Sequence, residues 1–297
     1  MKETHGYVLI VIASILWGTI GILAKLSYDY GILPETLIAL RLLISFTTLS
    51  TFLLLFNRNS FKIKKADVAF FLIFGVFAIA FQRVSYFYAV DLTTATVAAI
   101  LFYTYPVFVT ILAYFFLKEK ISLGEVLIIF LTFFGVALVV RAYDVSSLKV
   151  NLVGIISGLL SSLLFVLYFM MTRDLRNRYN NLTITLYGDG IGTLILAPII
   201  FASFQQITEF PTQLWLLVFA IAWIPSMSAY LLYSFALKYV KASKGSILSV
   251  IEPLSAAVLS TIFIGENLEQ PQIVGIALAL IGVVLLFRLR GLKTQHH

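Results

Sequence analysis

Long uninterrupted runs of apolar residues constrain this sequence more than any other feature. A helix that crosses a bilayer needs about 20 apolar residues, and runs of that kind recur along the whole chain. They predict helices over residues 6–26, 34–56, 66–90, 93–117, 123–140, 152–171, 182–204, 212–237, 242–264 and 271–287. Only 12% of the 297 residues are charged, against about 25% in soluble proteins. The sequence therefore predicts an all-α integral membrane protein with ten transmembrane helices.

Residue usage excludes several chemistries. The chain has no Cys, which rules out disulfides, thiolate nucleophiles and zinc–thiolate centres. Its three histidines, His5, His296 and His297, lie near the termini. We therefore expect no metal and no cofactor. The sequence also lacks a Walker A motif and room for a nucleotide-binding domain, so ATP hydrolysis is not expected.

The basic residues indicate an orientation. With a cytoplasmic N-terminus, 16 of the 21 Lys and Arg residues fall in inside segments and three in outside segments. This bias follows the positive-inside rule and predicts a multi-pass protein of the cell membrane with both termini cytoplasmic. The net charge of +7 is then a topology signal, and we expect no nucleic-acid partner.

An internal repeat divides the chain. At a constant offset of 147, residues 87–140 match residues 234–287 without a gap. The frame includes Pro106/Pro253, Glu119/Glu266 and Gly135/Gly282, and self-similarity at a fixed period marks a repeated architecture. With five helices per half, the second half crosses the membrane in the opposite orientation to the first, as in many transporters. We predict two inverted five-helix repeats, residues 1–142 and 151–290, around a central cavity, with a linker at 143–150 and a tail at 291–297.

Several short motifs resemble one known family. Ile15-Leu16-Trp17-Gly18 with Lys25, followed by Arg41, resembles the start of the EamA branch of the drug/metabolite transporter superfamily. The later matches are Phe87-Tyr88-Ala89-Val90 through Pro106 and Lys118-Glu119 in the first half, and Ser234-Phe235-Ala236-Leu237, Glu252-Pro253 and Gly265-Glu266 in the second. Lys118 departs from the Gly usual before the Glu. The resemblance implies a ten-helix carrier whose helices 1–4 and 6–9 surround the cavity while helices 5 and 10 support them.

Charged residues inside the spans are candidate functional groups because each costs about 2.5–3.5 kcal/mol to insert. Glu252 directly precedes Pro253, which removes a backbone donor and frees a carbonyl one turn back. We predict that Glu252 binds substrate or carries a proton; a structural role in bonding freed backbone is the alternative. Arg83 needs an acceptor, for which Glu252 and Asp189 are the candidates.

The remaining candidates fall into two groups. With Glu252, substrate-binding residues are predicted among charged, polar and polar-tipped aromatic side chains, namely Arg83, Gln82, Trp17, Tyr86, Tyr103, Tyr230, Tyr233 and Trp223. Gating or coupling residues are predicted at Arg41, Asp189, Glu119, Glu266, Pro106 and Pro253. For Glu119 and Glu266 we expect capping or pairing with neighbouring loops.

These features favour a secondary transporter that moves an amino-acid-like, aromatic or cationic organic solute by alternating access. Protons are the candidate coupling ion, and the protein is expected as a monomer or homodimer in the lipid bilayer. A channel-like facilitator or sensor is the alternative. A membrane-embedded lipid-modifying enzyme is less favoured, because the sequence has no DDxxD or HExxH cluster.

The predicted orientation can be tested with a reporter fused to the C-terminus. Because both tails fall on the basic side, a fluorescent protein that folds only in the cytoplasm should be active there. Activity of a fused alkaline phosphatase, which needs an oxidising compartment, would contradict the topology.

Overall fold

The fold is built from membrane-length helices. The structure is a computed structural model that describes residues 3–105, 107–109, 111–112, 122–139, 143–236, 239–240, 248–249 and 251–293. The simple helices are α1 (Glu3–Tyr28), α2 (Pro34–Phe56), α4 (Ala95–Phe102), α5 (Leu123–Val139), α6 (Val145–Leu175), α7 (Asn181–Ala202), α9 (Ile251–Ile264) and α10 (Gln270–Lys293). Helix α3 joins Val68–Ile73, Phe74–Phe81 and Gln82–Leu92, and α8 joins Thr212–Ile221, Ala222–Ser228 and Ala229–Ala236. Single turns cover Arg58–Phe61, Lys65–Asp67 and Phe204–Thr208.

Six of the described helical segments are long and apolar enough to cross a membrane. They are Thr4–Tyr28, Pro34–Phe56, Lys65–Leu92, Asn151–Thr172, Asn181–Ala202 and Thr212–Tyr233. Shorter apolar helices cover Ala95–Val109, Leu123–Val139, Ile251–Ile264 and Gln270–Leu285. Large apolar side chains such as Phe56 and Phe201 are more than 70% exposed, as expected of surfaces that face lipid. The protein is therefore a multi-pass, all-α membrane protein.

Local sequence explains where several helices begin. Pro34 occupies the first turn of α2, where its missing N–H costs no intrahelical bond. The Thr94 side chain caps α4 by accepting from the Val97 amide at 3.1 Å. The Asn180 side chain does the same for α7, accepting from the Thr183 amide at 2.8 Å. Such caps satisfy backbone donors that a helix start leaves free.

Both α3 and α8 contain a π-helical stretch, and the two stretches fall on the same repeat frame. Adding 147 to Phe74–Phe81 in α3 gives residues 221–228, and the stretch in α8, Ala222–Ser228, lies within that range. Pro225 accounts in part for the second stretch because it cannot donate to the helix ladder. Stretches of π-helix are rare and are often found at functional sites.

Helix contacts are duplicated in the same frame. Helix α3 packs on α6 as α8 packs on α1, and α7 contacts the π-helical stretch of α3 as α2 contacts that of α8. The pairs α2–α7, α4–α9 and α5–α10 join equivalent helices of the two halves, and α1 packs on α9 as α6 packs on α4. Many of the helix contacts are therefore duplicated between the halves.

Small residues bring α5 and α10 into close contact. A Cβ added at Gly135 would lie 2.6 Å from the Ala279 backbone nitrogen and 2.7 Å from the Gly275 carbonyl oxygen. A Cβ added at Gly282 would meet the side chain of Thr132, which occupies the position equivalent to Ala279 because the two are also 147 residues apart. The pair is thus held by backbone-to-backbone packing of small residues, a common device between membrane helices.

Several helix boundaries differ from those predicted. Helix α10 ends at Lys293, so residues 291–293 of the predicted tail are helical. Helix α6 begins at Val145, so residues 145–150 of the predicted linker are helical. An apolar run marks only the part of a helix that lies in hydrocarbon, and polar turns can extend beyond it. The predicted fourth helix is interrupted at Tyr103 and Thr104, which form a turn after Phe102.

Replacing Gly135 with Val should destabilise the protein. The added side chain meets backbone atoms that cannot rotate away, so we expect a loss of about 1–3 kcal/mol and a lower thermal unfolding midpoint in detergent, followed by Trp fluorescence. Phe134→Leu is the matched control because Phe134 is 59% exposed on the same helix. Equal midpoints for the two variants would contradict the close α5–α10 contact.

Candidate functional site

The start of α9 meets the break in α4. Pro253 lies in the first turn of α9 and has no N–H for the carbonyl of Ser249, four residues earlier. The Tyr103 hydroxyl lies 2.6 Å from that carbonyl oxygen and 2.8 Å from Oε2 of Glu252. The same carbonyl accepts from the Glu252 amide at 3.0 Å. The helix break in one half therefore adds a second donor to a backbone group that lacks its usual helical bond in the other half.

The Tyr103 hydroxyl has one proton and two neighbouring oxygen acceptors. A tyrosine hydroxyl carries one proton and can also accept. When Tyr103 donates to the Ser249 carbonyl, the short contact to Glu252 is best satisfied by a protonated carboxyl that donates to the tyrosine oxygen. When Glu252 is ionised, Tyr103 donates to it instead. The arrangement can therefore accommodate both protonation states of Glu252.

Helix α1 closes one side of this contact. A Cβ added at Gly18 would lie 2.9 Å from the carbonyl oxygen of Glu252 and 2.8 Å from the Ser255 side chain. Next to Gly18, the Trp17 ring packs on Tyr233 with centroids 5.1 Å apart. Tyr233 in turn interacts with Ser249. Helices α1 and α8 thus hold the α9 start between them.

Aromatic rings form a continuous wall beside Glu252. The Tyr103 ring contacts Tyr105 at 5.9 Å, Tyr105 contacts Phe165 at 4.9 Å, and Phe165 stacks on Tyr168 at 5.0 Å. Phe102 joins Tyr86 to this wall at 5.7 Å. Such rings offer flat apolar surfaces and negative π-faces that suit organic and cationic groups.

Arg41 is a buried cation without an ion pair among the described residues. Its Nε donates to Oγ of Ser226 at 2.7 Å, inside the π-helical stretch of α8. Its guanidinium lies 5.6 Å from the Phe87 ring centroid. Arg83, Asp189 and Tyr86 are within electrostatic range. This environment holds the guanidinium in place but leaves its charge without a paired carboxylate.

Arg83 and Asp189 form an ion pair across α3 and α7. Arg83 Nη1 lies 2.7 Å from Oδ1 of Asp189, and Asp189 is buried. Of the two acceptors considered from the sequence, the structure selects Asp189. Asp189 lies 148 residues after Arg41, one position from the 147 offset of the later helices. Each of the two residues reaches the π-helical helix of the opposite half.

Arg41 and Glu252 are thus two opposite charges near the centre that form no ion pair with a described residue. Arg41 is bonded to a serine, and Glu252 contacts Tyr103. Tyr86 lies within electrostatic range of both. The region therefore combines a cationic group, an anionic group and an aromatic side chain.

Glu266 fastens one end of the bundle. Its carboxylate accepts from the Ala95 amide at 2.8 Å and from the Thr96 hydroxyl at 2.8 Å. It therefore caps α4 from the opposite half, where the helix dipole favours an anion. Lys25 lies within electrostatic range of Glu266 and donates to the Asp91 carbonyl at 2.8 Å.

Other predicted site residues lie elsewhere. Gln82 is buried in the α3–α6 contact, where it donates to Ser161 at 2.9 Å. Trp223 is 45% exposed and contacts Thr48 and Phe219, so the structure does not bring it to the Glu252 region. Tyr230 has its hydroxyl buried near Tyr168. Pro106 and Glu119 lie outside the described residues.

Several residues of this site, including Phe102, are absent from the set predicted from the sequence. Tyr105 had a usable signal, since it is the repeat equivalent of Glu252, and Tyr168 is a mid-span tyrosine like those selected. Phe165 and Ser226 carried no signal, because a phenylalanine or a serine in an apolar helix has no distinctive pattern. Among the described residues, no His, Cys, Asp and Glu group is suited to hold a metal ion.

The Arg83–Asp189 pair can be tested by a double-mutant cycle. Arg83→Met and Asp189→Leu should each lower stability by about 1–3 kcal/mol because the partner stays desolvated and unpaired. The double variant should lose less than the sum, as measured by thermal unfolding in detergent. Additive losses would argue against the pair, and Arg58→Met, at an exposed cation, should leave the midpoint unchanged.

Comparisons with known proteins agree with these features. Over 204 residues the chain is 30% identical to an uncharacterized transporter of Archaeoglobus fulgidus, covering 69% of this chain and 71% of the relative. It is 31% identical over 228 residues to the uncharacterized transporter YxxF of Bacillus subtilis, covering 75% and 71%. It is 27% identical over 288 residues to the uncharacterized inner membrane transporter YicL of Salmonella typhimurium, covering 95% and 94%.

A solved structure and a family model complete the comparison. A crystal structure of another protein matches with a TM-score of 0.64 at 18% identity, covering 96% of this chain and 98% of the other, which shows a shared fold. The model of the EamA-like transporter family matches residues 4–141 and 152–288. The chain therefore belongs to the EamA-like transporter family, within the drug/metabolite transporter superfamily.

Proposed function

We propose that this membrane transporter carries a zwitterionic, amino-acid-like solute across the cell membrane by alternating access. The observation that carries the substrate class is the separation of charge between Arg41 and Glu252. A solute carboxylate would pair with Arg41 and a solute amine with Glu252, so that each buried charge gains a counter-charge. The aromatic wall from Tyr103 to Tyr168 would receive the solute side chain, and an aromatic one fits it best.

The proposed architecture has ten spans in two inverted halves, residues 1–142 and 151–290, around a central cavity. Its support comes from the shared frame of the π-helical stretches and from the duplicated helix contacts. Inverted halves suit alternating access because each half can adopt the arrangement of the other. The bias of basic residues supports an orientation with both termini in the cytoplasm.

Protons are the proposed coupling ion, and Glu252 is their carrier. The Tyr103 hydroxyl can serve either protonation state of this carboxyl, because it has the Ser249 carbonyl as a second acceptor. A solute amine and a proton would then compete for the same carboxylate. Such competition gives exchange of solute against protons without any further cofactor.

Gating in this proposal involves the ends of the bundle. The Glu266 carboxylate holds the start of α4 from the opposite half, so opening at that end requires the cap to release. Arg41, Asp189 and Pro253 couple the helices that meet at the centre. Of the other residues proposed for gating, Glu119 is the repeat equivalent of Glu266 and Pro106 that of Pro253.

The substrate class can be tested by competition in proteoliposomes. Counterflow of labelled phenylalanine should be inhibited by free zwitterionic amino acids but not by methyl esters, which lack the carboxylate, or by N-acetyl derivatives, which lack the amine. Glu252→Gln should weaken zwitterion binding about tenfold or more, since a charge-assisted bond is worth about 1.5–3 kcal/mol, and should abolish the pH dependence of uptake. Arg41→Gln should weaken it similarly while reducing discrimination against the ester.

Glu209→Gln provides the matched control, because Glu209 is exposed in a loop and undergoes the same chemical change. Equal inhibition by the zwitterion, its ester and its N-acetyl derivative would contradict the two-ended site. Uptake by Glu252→Gln that equals wild type at every pH would remove Glu252 from it. Flux without trans-acceleration would favour a channel-like facilitator over a carrier.

A further inference from the structure

A second polar feature lies where three spans end. Its residues are distant in sequence from Glu252. The spans Pro34–Phe56, Lys65–Leu92 and Asn181–Ala202 have their termini here. Between them is a cleft of about 350 Å³. Its walls are formed by Asn59, Lys62, Ile63, Lys64, Arg178, Tyr179, Asn180 and Thr183. Because it lies where these spans begin and end, the cleft is at the level of the lipid headgroups.

Hydrogen bonds from the second half hold the walls of this cleft. The Tyr179 hydroxyl donates to Oδ2 of Asp67 at 2.5 Å and accepts from the Lys64 amide at 3.0 Å. Thr183 donates to the Ser60 carbonyl at 3.0 Å. Desolvation and the bond to Asp67 raise the pKa of Tyr179, so its hydroxyl remains a donor at neutral pH. The loop between α2 and α3 is therefore braced rather than free.

The charge around the cleft is positive. Asp67 and Asp174 both form ion pairs with Arg178, so one guanidinium is shared between two carboxylates. Lys62 and Lys64 are exposed, and neither ammonium group forms an ion pair with a described residue. With these two lysines the five groups carry a net charge of +1. The residues that line the cleft include no carboxylate, so its walls offer cationic and neutral groups to an anion from outside the chain.

The amide side chains add further donors. Oδ1 of Asn180 is occupied by the Thr183 amide, which leaves its NH₂ group to donate into the cleft. Asn59 lies on the opposite wall with a second amide group. Two ammonium groups and two amide groups form a set rich in donors, and such a set suits the acceptor oxygens of a phosphate.

We propose that this cleft binds the phosphate of an anionic lipid headgroup. Basic pockets between transmembrane helices on the cytoplasmic side are suited to such headgroups, and the exposed side chains of Leu55 and Phe56 immediately before the loop provide apolar surface for the acyl chains. A free phosphate ion shares the headgroup chemistry but would make no use of that apolar surface. The assignment does not depend on the transported solute.

Native mass spectrometry of the purified protein tests the assignment. Palmitoyl-oleoyl phosphatidylglycerol should bind in preference to the matched phosphatidylcholine. Lys62→Gln combined with Lys64→Gln should reduce phosphatidylglycerol binding about tenfold or more, on the basis of the contribution expected per basic residue. Both side chains are exposed, so the variant should fold normally, which its thermal unfolding midpoint in detergent verifies.

The matched control removes two charges from the same loop outside the cleft, by Arg58→Gln combined with Lys65→Gln. It should retain the lipid preference. Equal loss of binding in both double variants would overturn the proposal, because the effect would then be general charge attraction. Displacement of phosphatidylglycerol by millimolar inorganic phosphate would overturn the lipid assignment and leave a phosphate-ion site.

Discussion

The carbonyl of Ser249 is the group on which the centre of this molecule depends. Pro253 cannot provide the usual helical bond to this carbonyl, which accepts instead from the Glu252 amide at 3.0 Å. The Tyr103 hydroxyl adds a second, shorter bond at 2.6 Å, and it does so from a break in the helix of the other half. The same contact brings a tyrosine proton next to Glu252, so a requirement of the backbone also places an ionisable group.

The two halves share a frame but differ in their charges. Helix contacts, π-helical stretches and the small residues of α5 and α10 all follow an offset of 147 or nearly so. The polar residues at equivalent positions are of different types: Arg41 matches Asp189, and Tyr105 matches Glu252. The described residues at the centre come from helices other than α5 and α10. The scaffold is therefore duplicated, while the electrostatic environment it encloses has a positive and a negative end.

Much of the fold could be predicted from the sequence, because apolar runs and turn residues act locally. The second predicted helix, residues 34–56, has the same bounds in the structure, and the effect of Pro253 on a carbonyl one turn back followed from proline chemistry alone. The family resemblance was confirmed by the match to both halves. The number of spans, the inverted relation of the halves and the domain boundaries stay predictions.

The candidate site was less predictable because its contacts are long-range. Sequence left Arg83 with two possible acceptors, and only the crossing of α3 and α7 selects Asp189. Trp223 illustrates a second limit: in a helix that is apolar all round, periodicity does not separate a lipid-facing ring from an inward one. Ser226 illustrates a third, since a hydroxyl that serves a distant arginine looks like any small residue.

The pairing of unlike residues at equivalent positions has a consequence for how such a chain can change. A substitution at Gly135 or Gly282 disturbs the α5–α10 contact, on which both halves rely, and so affects the whole scaffold. A substitution at Glu252 or Arg41 alters one of the two charged groups at the centre. It leaves the residue at the equivalent position of the other half, Tyr105 or Asp189, unchanged. Under the proposed function, new solute preferences would therefore arise by single steps in one half, while the duplicated scaffold remains as it is.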